Sequence, residues 1–228
     1  MLVGVDWARV GWLAVRLHRG DWDRRLYPRF DELLADNGEA RLVVVDVPMG
    51  LPAAGTPGGR AADRAARELL PLKRRSTVFP TPSRRALAAT SLEEAQRLNA
   101  PAGMNLQVYR LLPRLREVDA ALTPKLQERV WEGHPELSFL AAGGWPAVRD
   151  SKRTKAGRMA RIEALRRRLG AGWWRWFQGL EDRGPLLTDL LDASVLVWTA
   201  ARLARGKAGF APETPEYDER GLRMQIAY

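Results

Sequence analysis

The sequence predicts an α/β fold in which a mixed β-sheet is covered by helices on both faces. Two apolar segments at 2–7 and 11–18 are separated by a short break, as in a hairpin. The segment 42–45 is apolar at every position and mostly β-branched, which is typical of a central strand covered on both faces. Hairpin strands followed by strand–helix units favour a mixed sheet with helices on both sides.

The other elements are predicted from the spacing of apolar residues and from prolines and glycines. A more exposed strand is expected at 22–27, another strand at 128–134 and an edge strand in the final segment GLRMQIAY. Helices are expected at 30–36, 60–70, 92–98, 105–121, 152–169 and 186–204. We interpret residues 1–228 as a single domain with a mostly helical insertion at 51–127, which begins with the loop LPAAGTPGG.

Composition narrows the classes of function. The 228 residues include no cysteine and two histidines, which excludes disulfides, thiolate metal sites and Cys/His zinc sites. No apolar stretch approaches the roughly 20 residues of a membrane span and no secretion signal is evident, so we expect a cytoplasmic protein with no membrane partner. The net charge of +10 would attract nucleic acid. Coding bias in a GC-rich genome also produces such an arginine-rich composition.

Four aspartates lie in apolar surroundings where a charge has no obvious structural reason. Asp6 lies within the first strand and Asp46 directly follows the β-branched run. Asp189 and Asp192 lie three residues apart in the apolar last helix, and this spacing puts them on one face. Buried unpaired carboxylates are costly, and no lysine or arginine between Arg183 and Arg202 neutralises the helical pair.

Ordinary structural roles explain some of these acids. Asp46 precedes Val47 and Pro48, which suits an Asx-type turn. Thr188 or Asp189 would suit the N-terminal cap of the last helix, where the helix dipole favours an acid. Asp192 is a full turn further into the helix, so capping does not explain it.

Acids from two central strands and one helix can converge at one end of a sheet. An all-oxygen site of this kind suits Mg²⁺ or Mn²⁺. Two such ions about 4 Å apart can activate a water and stabilise the leaving oxygen in phosphodiester cleavage. We therefore expect Asp6, Asp46, Asp189 and Asp192 to be catalytic and to hold two Mg²⁺ or Mn²⁺ ions.

The segment EGHPE offers further acidic and basic groups near a predicted strand end. Glu136 is the preferred additional catalytic acid, and Glu132 is a candidate outer ligand. His134 would either position a water or leaving group or be an ordinary histidine at a strand end before a proline turn.

Two basic segments are candidate contacts to a nucleic-acid backbone, although both also suit solvated surface. The segment KRRSTVFPTPSRR has Val78 and Phe79 as possible anchors, and the segment SKRTKAGRMARIEALRRRL resembles a basic helix face. The predicted nucleic-acid-binding residues are Arg74, Arg75, Arg84, Arg85, Lys152, Arg153 and Lys155.

Several motifs occur together in one order along nearly the whole chain. They are GVDWARVGW, VVVDVPMGLP, RSTVFPTPSRRAL, LPRLREVDAALTP, EGHPELSF, SKRTKAG, DLLDASVLVWTA and GLRMQI. This set resembles the family catalogued as domain of unknown function 429, described as predicted RNase H-like nucleases. The resemblance implies a five-stranded mixed sheet whose first three strands are antiparallel. It also implies catalytic acids on the first strand, the fourth strand and the last helix, which match Asp6, Asp46 and the pair Asp189 and Asp192.

The resemblance implies a metal-dependent nuclease acting on DNA or RNA. The form DLLDA is similar to the last helix of RuvC-type resolvases, which would imply a homodimer. In the RuvC pattern, the fourth strand ends in a glutamate, which has a longer side chain than aspartate. Asp46 departs from that pattern.

Two alternative functions stay open. The same superfamily includes ATPases and sugar kinases, for which GLPAAGTPGG is a weak phosphate-loop match, and the chain would also suit a non-catalytic nucleic-acid-binding module.

Overall fold

A computed structural model of the protein describes residues 1–180 and 186–228. It confirms a mixed α/β architecture, with a seven-stranded sheet in the order β3-β2-β1-β4-β5-β7-β6. The strands are β1 (Leu2–Ala8), β2 (Gly11–His18), β3 (Asp21–Tyr27), β4 (Leu42–Val45), β5 (Val130–Gly133), β6 (Phe210–Tyr217) and β7 (Arg223–Ala227). The expectation of five strands is therefore wrong, because the chain after the last helix adds two strands to the sheet.

The strand β6 was not predicted from the sequence, and β7 was wrongly placed at an edge. The segment that forms β6 contains Pro212 and Pro215, which lack the N–H group that a sheet ladder requires. Prolines are tolerated on edge strands, and β6 is the strand at this edge. The final segment therefore forms the strand next to the edge.

Nine helices are found among the residues that the structure describes. They are α1 (Phe30–Asp36), α2 (Ala61–Leu69), α3 (Leu92–Leu98), α4 (Leu106–Tyr109), α5 (Leu112–Ala121), α6 (Pro135–Gly143), α7 (Trp145–Arg149), α8 (Lys155–Gln178) and α9 (Leu187–Leu203). Short 3₁₀ segments lie at Leu72–Thr77, Arg84–Ala88 and Leu126–Glu128. Helices α6 and α7 were not predicted, and the helix expected at 105–121 is divided into α4 and α5.

Helix α8 differs from its predicted bounds at both ends. It begins after Thr154, whose hydroxyl accepts a hydrogen bond of 3.1 Å from the amide of Gly157. It continues past the predicted end at residue 169 through a kink at Gly170, which has a φ of 79°. Glycine adopts this backbone conformation without the steric cost that other residues incur. The aromatic segment after the kink buries Trp173 and Phe177.

The chain divides into two compact units. The first contains Met1–Asp46, Arg129–Gly209 and Ala227–Tyr228, and the second contains Val47–Glu128 and Phe210–Ile226. The first unit therefore carries β1 to β5 together with α1 and α6 to α9. Across the two described ranges of the chain, no helix has the length and apolar character needed to cross a membrane.

Helices cover both faces of the sheet in the first unit. On one face, Leu13 and Val15 belong to a buried apolar cluster that includes residues of α6, α8 and α9. Trp12 points to the opposite face and contacts Phe30 of α1, with ring centroids 5.0 Å apart. Alternate residues of a strand point to opposite faces, so this arrangement agrees with the predicted placement of helices on both faces of the sheet.

Gly4 allows the backbone of α9 to lie directly against β1. A Cβ atom at this position would be 2.1 Å from the carbonyl oxygen of Ala193 and 2.5 Å from the amide nitrogen of Val197. Gly4 and Asp6 are two residues apart and point to the same face of the strand. The close contact at Gly4 therefore brings the N-terminal half of α9 towards Asp6.

Gly4→Ala is expected to lower the free energy of unfolding by about 1–3 kcal/mol, because the added methyl group forces β1 and α9 apart. Urea denaturation of both proteins measures the change. Gly172→Ala is the matched control, since its Cβ would meet its nearest neighbour, the Nε1 atom of Trp22, at an ordinary 3.5 Å. Equal stability of Gly4→Ala and the wild type would contradict the proposed steric role of Gly4.

Candidate metal centre

Asp6 and Asp46 lie side by side where the parallel pairing of β1 and β4 ends. Strands β1 and β4 pair in parallel with Val5 opposite Val45, and the amide of Asp46 donates to the carbonyl of Val5 at 2.9 Å. Asp6 directly follows Val5, so both acids lie at the same end of the paired strands. Their side chains are close enough for the charge of Asp46 to raise the pKa of Asp6.

Helix α9 supplies the other two carboxylates. Asp189 lies in the first turn of the helix, and Asp192 follows one turn later with a buried side chain. Asp189 is therefore not the N-terminal cap, which is Leu186. Both helical carboxylates interact electrostatically with Asp6. The charges of the other three aspartates thus all act on Asp6. In the described part of the chain, no group of three or more acidic, histidine or cysteine side chains is already arranged to hold a metal ion. The catalytic and metal-binding roles of the four aspartates stay predictions.

Burial and mutual repulsion make this cluster costly to ionise. Burial raises the pKa of Asp6 well above its usual range, and the charges of Asp46 and Asp192 raise it further. Burial also raises the pKa of Asp46, against a lowering effect from nearby His134. The pKa of Asp189 is raised by burial and then by Asp192. A cation held among these groups would favour their ionised forms.

Lys152 provides one positive charge inside the cluster. Its ammonium group forms a hydrogen-bonded ion pair with Asp192, and its charge lowers the pKa of both Asp6 and Asp46. In turn, the carboxylates raise the pKa of Lys152, so it stays protonated. The sequence predicted Lys152 as a nucleic-acid-binding residue and did not predict this contact. The sequence around α9 gives no sign of this contact, because Lys152 precedes α8 and is 40 residues from Asp192 in sequence.

Glu136 forms a buried ion pair in the structure. A guanidinium nitrogen of Arg161 in α8 donates to its Oε1 atom at 2.6 Å, and both residues are buried. This pair connects the first turn of α6 to α8. The predicted catalytic role of Glu136 stays a prediction beside this structural role. His134 follows β5 and lies close enough to Asp46 to lower its pKa, whereas Glu132 is buried in β5 opposite Val45.

The predicted nucleic-acid-binding residues differ in their exposure and in their ion pairs with carboxylates. In the second unit, the guanidinium of Arg84 forms ion pairs with Asp119, Asp218 and Glu219. In the same unit Arg74 is partly buried, while Arg75 and Arg85 are exposed. In the first unit, Arg153 and Lys155 are exposed at the start of α8. Of the predicted set, Arg84 and Lys152 thus have carboxylate partners within their own units.

The raised pKa of Asp6 predicts a pH-dependent difference in stability between the wild type and Asp6→Asn without metal. A carboxyl group whose pKa is raised by folding stabilises the folded state below its unfolded pKa of about 4, and this stabilisation is lost as the pH rises through the folded pKa. The stability of the wild type relative to Asp6→Asn should therefore fall as the pH rises from about 4, by at most about 1.4 kcal/mol per pH unit. Urea denaturation of both proteins in a chelating buffer measures this difference. A difference that is constant with pH would contradict the prediction.

Comparison with known protein families gives a match over most of the chain. The family model described as "Protein of unknown function (DUF429)" matches residues 4–217. No curated protein and no solved structure gives a significant match. The matched region includes the four aspartates and nearly all of the chain. We conclude that the chain belongs to the DUF429 family of proteins of unknown function.

Proposed function

We propose that this protein is a divalent-metal-dependent nuclease that hydrolyses phosphodiester bonds of DNA or RNA. The observation that carries the proposal is the adjacency of Asp6 and Asp46 on paired parallel strands, with the charges of Asp189 and Asp192 of α9 acting on Asp6. These acids come from two parallel strands and one helix.

The donor chemistry of the cluster fits Mg²⁺ or Mn²⁺. All four side chains offer carboxylate oxygens, which are the ligands that these hard cations prefer. Burial and the neighbouring acids raise the pKa of Asp6, Asp46 and Asp189, and a bound cation would favour their ionised forms. Bound ions would supply an activated water and stabilise negative charge on the leaving oxygen.

The order and direction of the first four strands support the proposal, because they agree with the RNase H-like sheet that the family resemblance implies. Strand β1 pairs antiparallel with β2, which pairs antiparallel with β3, and β1 pairs in parallel with β4. The acids lie on β1, after β4 and on α9, which is the placement that the family resemblance implies. The strand count exceeds that of the expected five-stranded sheet, so the inference rests on the order and direction of the first four strands.

Basic residues of the first unit would hold the substrate backbone. The paired strands β1 and β4 position Asp6 and Asp46, and Asp192 is buried within α9. The exposed charges of Arg153 and Lys155 would contact the backbone of a polyanionic substrate. Hydrolysis would add water across one P–O bond, leaving the phosphate on one product and a hydroxyl group on the other.

The test is a cleavage assay with the full-length protein. Branched, duplex and single-stranded DNA and RNA are incubated with Mn²⁺, with Mg²⁺ or with a chelator. We expect cleavage of at least one substrate with Mn²⁺ and none with the chelator. A failure to cleave every substrate in the presence of Mn²⁺ would contradict the proposed function.

A further inference from the structure

We propose that Lys152 is an internal counter-ion that competes with the divalent metal for the carboxylate cluster. In this scheme the ammonium group pairs with Asp192 when metal is absent, and metal binding displaces it. The inference rests on the proposed function, because it concerns the same four carboxylates. It adds a regulatory property that neither the acids nor the family membership implies, namely a metal affinity set by a lysine.

In the ion pair between Lys152 and Asp192, the side chain of Lys152 is the one that is free to move away. The side chain of Asp192 is 1% exposed and lies within helix α9, whereas the side chain of Lys152 is 39% exposed. Lys152 lies in the turn before α8, and its ammonium group is carried on a flexible four-carbon stem. The ammonium group can therefore move to solvent, while the carboxylate of Asp192 stays in place.

The electrostatics make the ammonium and the metal competitors. The ammonium group of Lys152 contacts the carboxylate of Asp192, which is also a candidate metal ligand, so the two cations would compete for the same oxygen atoms. The charges of Lys152, Asp6 and Asp46 also interact. A divalent ion neutralises more of the clustered negative charge than one ammonium does. Two cations at the same carboxylates repel each other strongly in partly buried surroundings. Binding of the metal therefore favours departure of the ammonium group.

The counter-ion role of Lys152 predicts a different effect on metal affinity from a structural ion pair or a contact to the substrate phosphate. An ion pair with only a structural role would leave the affinity for metal unchanged when Lys152 is replaced. A lysine that only holds the substrate phosphate would also leave that affinity unchanged. A competing counter-ion predicts that loss of Lys152 strengthens metal binding, although the same change leaves a buried carboxylate unpaired in the metal-free protein.

Calorimetric titration of Mn²⁺ into the metal-free, full-length protein tests the inference. Lys152→Gln is expected to lower the Kd for Mn²⁺ by about tenfold or more. Lys152→Arg keeps the positive charge and is expected to bind Mn²⁺ as weakly as the wild type. Lys207→Gln is the matched control, because it removes an exposed lysine charge beyond the C-terminal end of α9 and should leave the Kd unchanged.

A second measurement uses the wild type alone, so it does not depend on the folding of a variant. Lysine acetylation is followed by mass spectrometry with and without Mn²⁺. Displacement from Asp192 should make Lys152 react faster when Mn²⁺ is present, whereas exposed Lys155 and Lys207 should react equally in both conditions. If Mn²⁺ leaves the reactivity of Lys152 unchanged or lowers it, the inference is wrong.

The results also separate the two proposals. Mn²⁺ binding that is equally strong in the wild type and in folded Lys152→Gln would overturn the counter-ion role and leave the metal-dependent function standing. An absence of Mn²⁺ binding in every protein tested would overturn both. Tighter binding by Lys152→Gln together with faster acetylation of Lys152 supports the counter-ion role, whatever substrate the nuclease cleaves.

Discussion

Asp6→Asn is expected to reduce the metal-dependent cleavage by at least about a hundredfold. Replacing groups that only support metal ligands typically costs 10- to 100-fold, and loss of a ligand at the centre of the cluster should cost more. The fold should be retained, because asparagine has nearly the same size as aspartate. Burial raises the pKa of Asp6, so the folded protein already favours an uncharged group at this position.

Initial cleavage rates over a range of Mn²⁺ concentrations measure the effect of Asp6→Asn. The matched control is Asp21→Asn, which removes an exposed carboxylate at the start of β3 in the same unit. Its rate should equal that of the wild type. Unfolding midpoints of both variants establish that any loss of rate is not a loss of fold. A wild-type rate for Asp6→Asn would remove Asp6 from the catalytic machinery.

The placement of the acids was partly predictable from the sequence. A carboxylate inside an apolar strand and another after a β-branched run already indicate that Asp6 and Asp46 are unusual. That β1 and β4 are parallel neighbours depends on strand pairing, which local patterns do not determine. The close approach of α9 depends on Gly4, and a single glycine in a strand does not reveal which element lies against it.

The partners of the charged groups were harder to predict than the acids themselves. Arg161 lies in a helix so rich in arginine that its sequence indicates a solvated basic face. In the structure it is completely buried and pairs with Glu136, which is 25 residues earlier in the chain. Lys152 likewise pairs with Asp192 over a long sequence separation. Helical periodicity identifies a face but not which charge on it finds a partner in another element.

A second prediction concerns the second unit, where Asp63 of α2 joins three segments. Its carboxylate accepts hydrogen bonds from the amide and guanidinium of Arg60, the closest at 2.8 Å, and from the amide and hydroxyl of Thr81 at 2.9 and 3.0 Å. Arg60 also donates to the carbonyl oxygens of Met49 and Gly50. These bonds connect the glycine-rich loop, α2 and the proline-rich segment that follows.

Gly59 in the glycine-rich loop has a structural explanation in this network. A Cβ atom there would lie 2.3 Å from Oδ2 of Asp63, and the residue has a φ of 82°. The glycine therefore leaves room for the carboxylate of Asp63 to reach the loop backbone. This contact accounts for one of the glycines that gave the segment its weak similarity to a phosphate-binding loop.

Asp63→Ala is expected to lower the free energy of unfolding by about 3–5 kcal/mol, because the fully buried guanidinium of Arg60 loses its counter-ion. Chemical denaturation measures the change. Arg97→Ala, which breaks an exposed ion pair with Glu94 in the same unit, should change stability little. The double variant Arg60→Met with Asp63→Leu should recover part of the loss, since no charge is then left buried.

If Asp63→Ala lowers the free energy of unfolding no more than Arg97→Ala does, the buried ion pair does not hold these segments together. A large loss that the double variant does not reduce would instead assign the stability to the hydrogen bonds of Thr81.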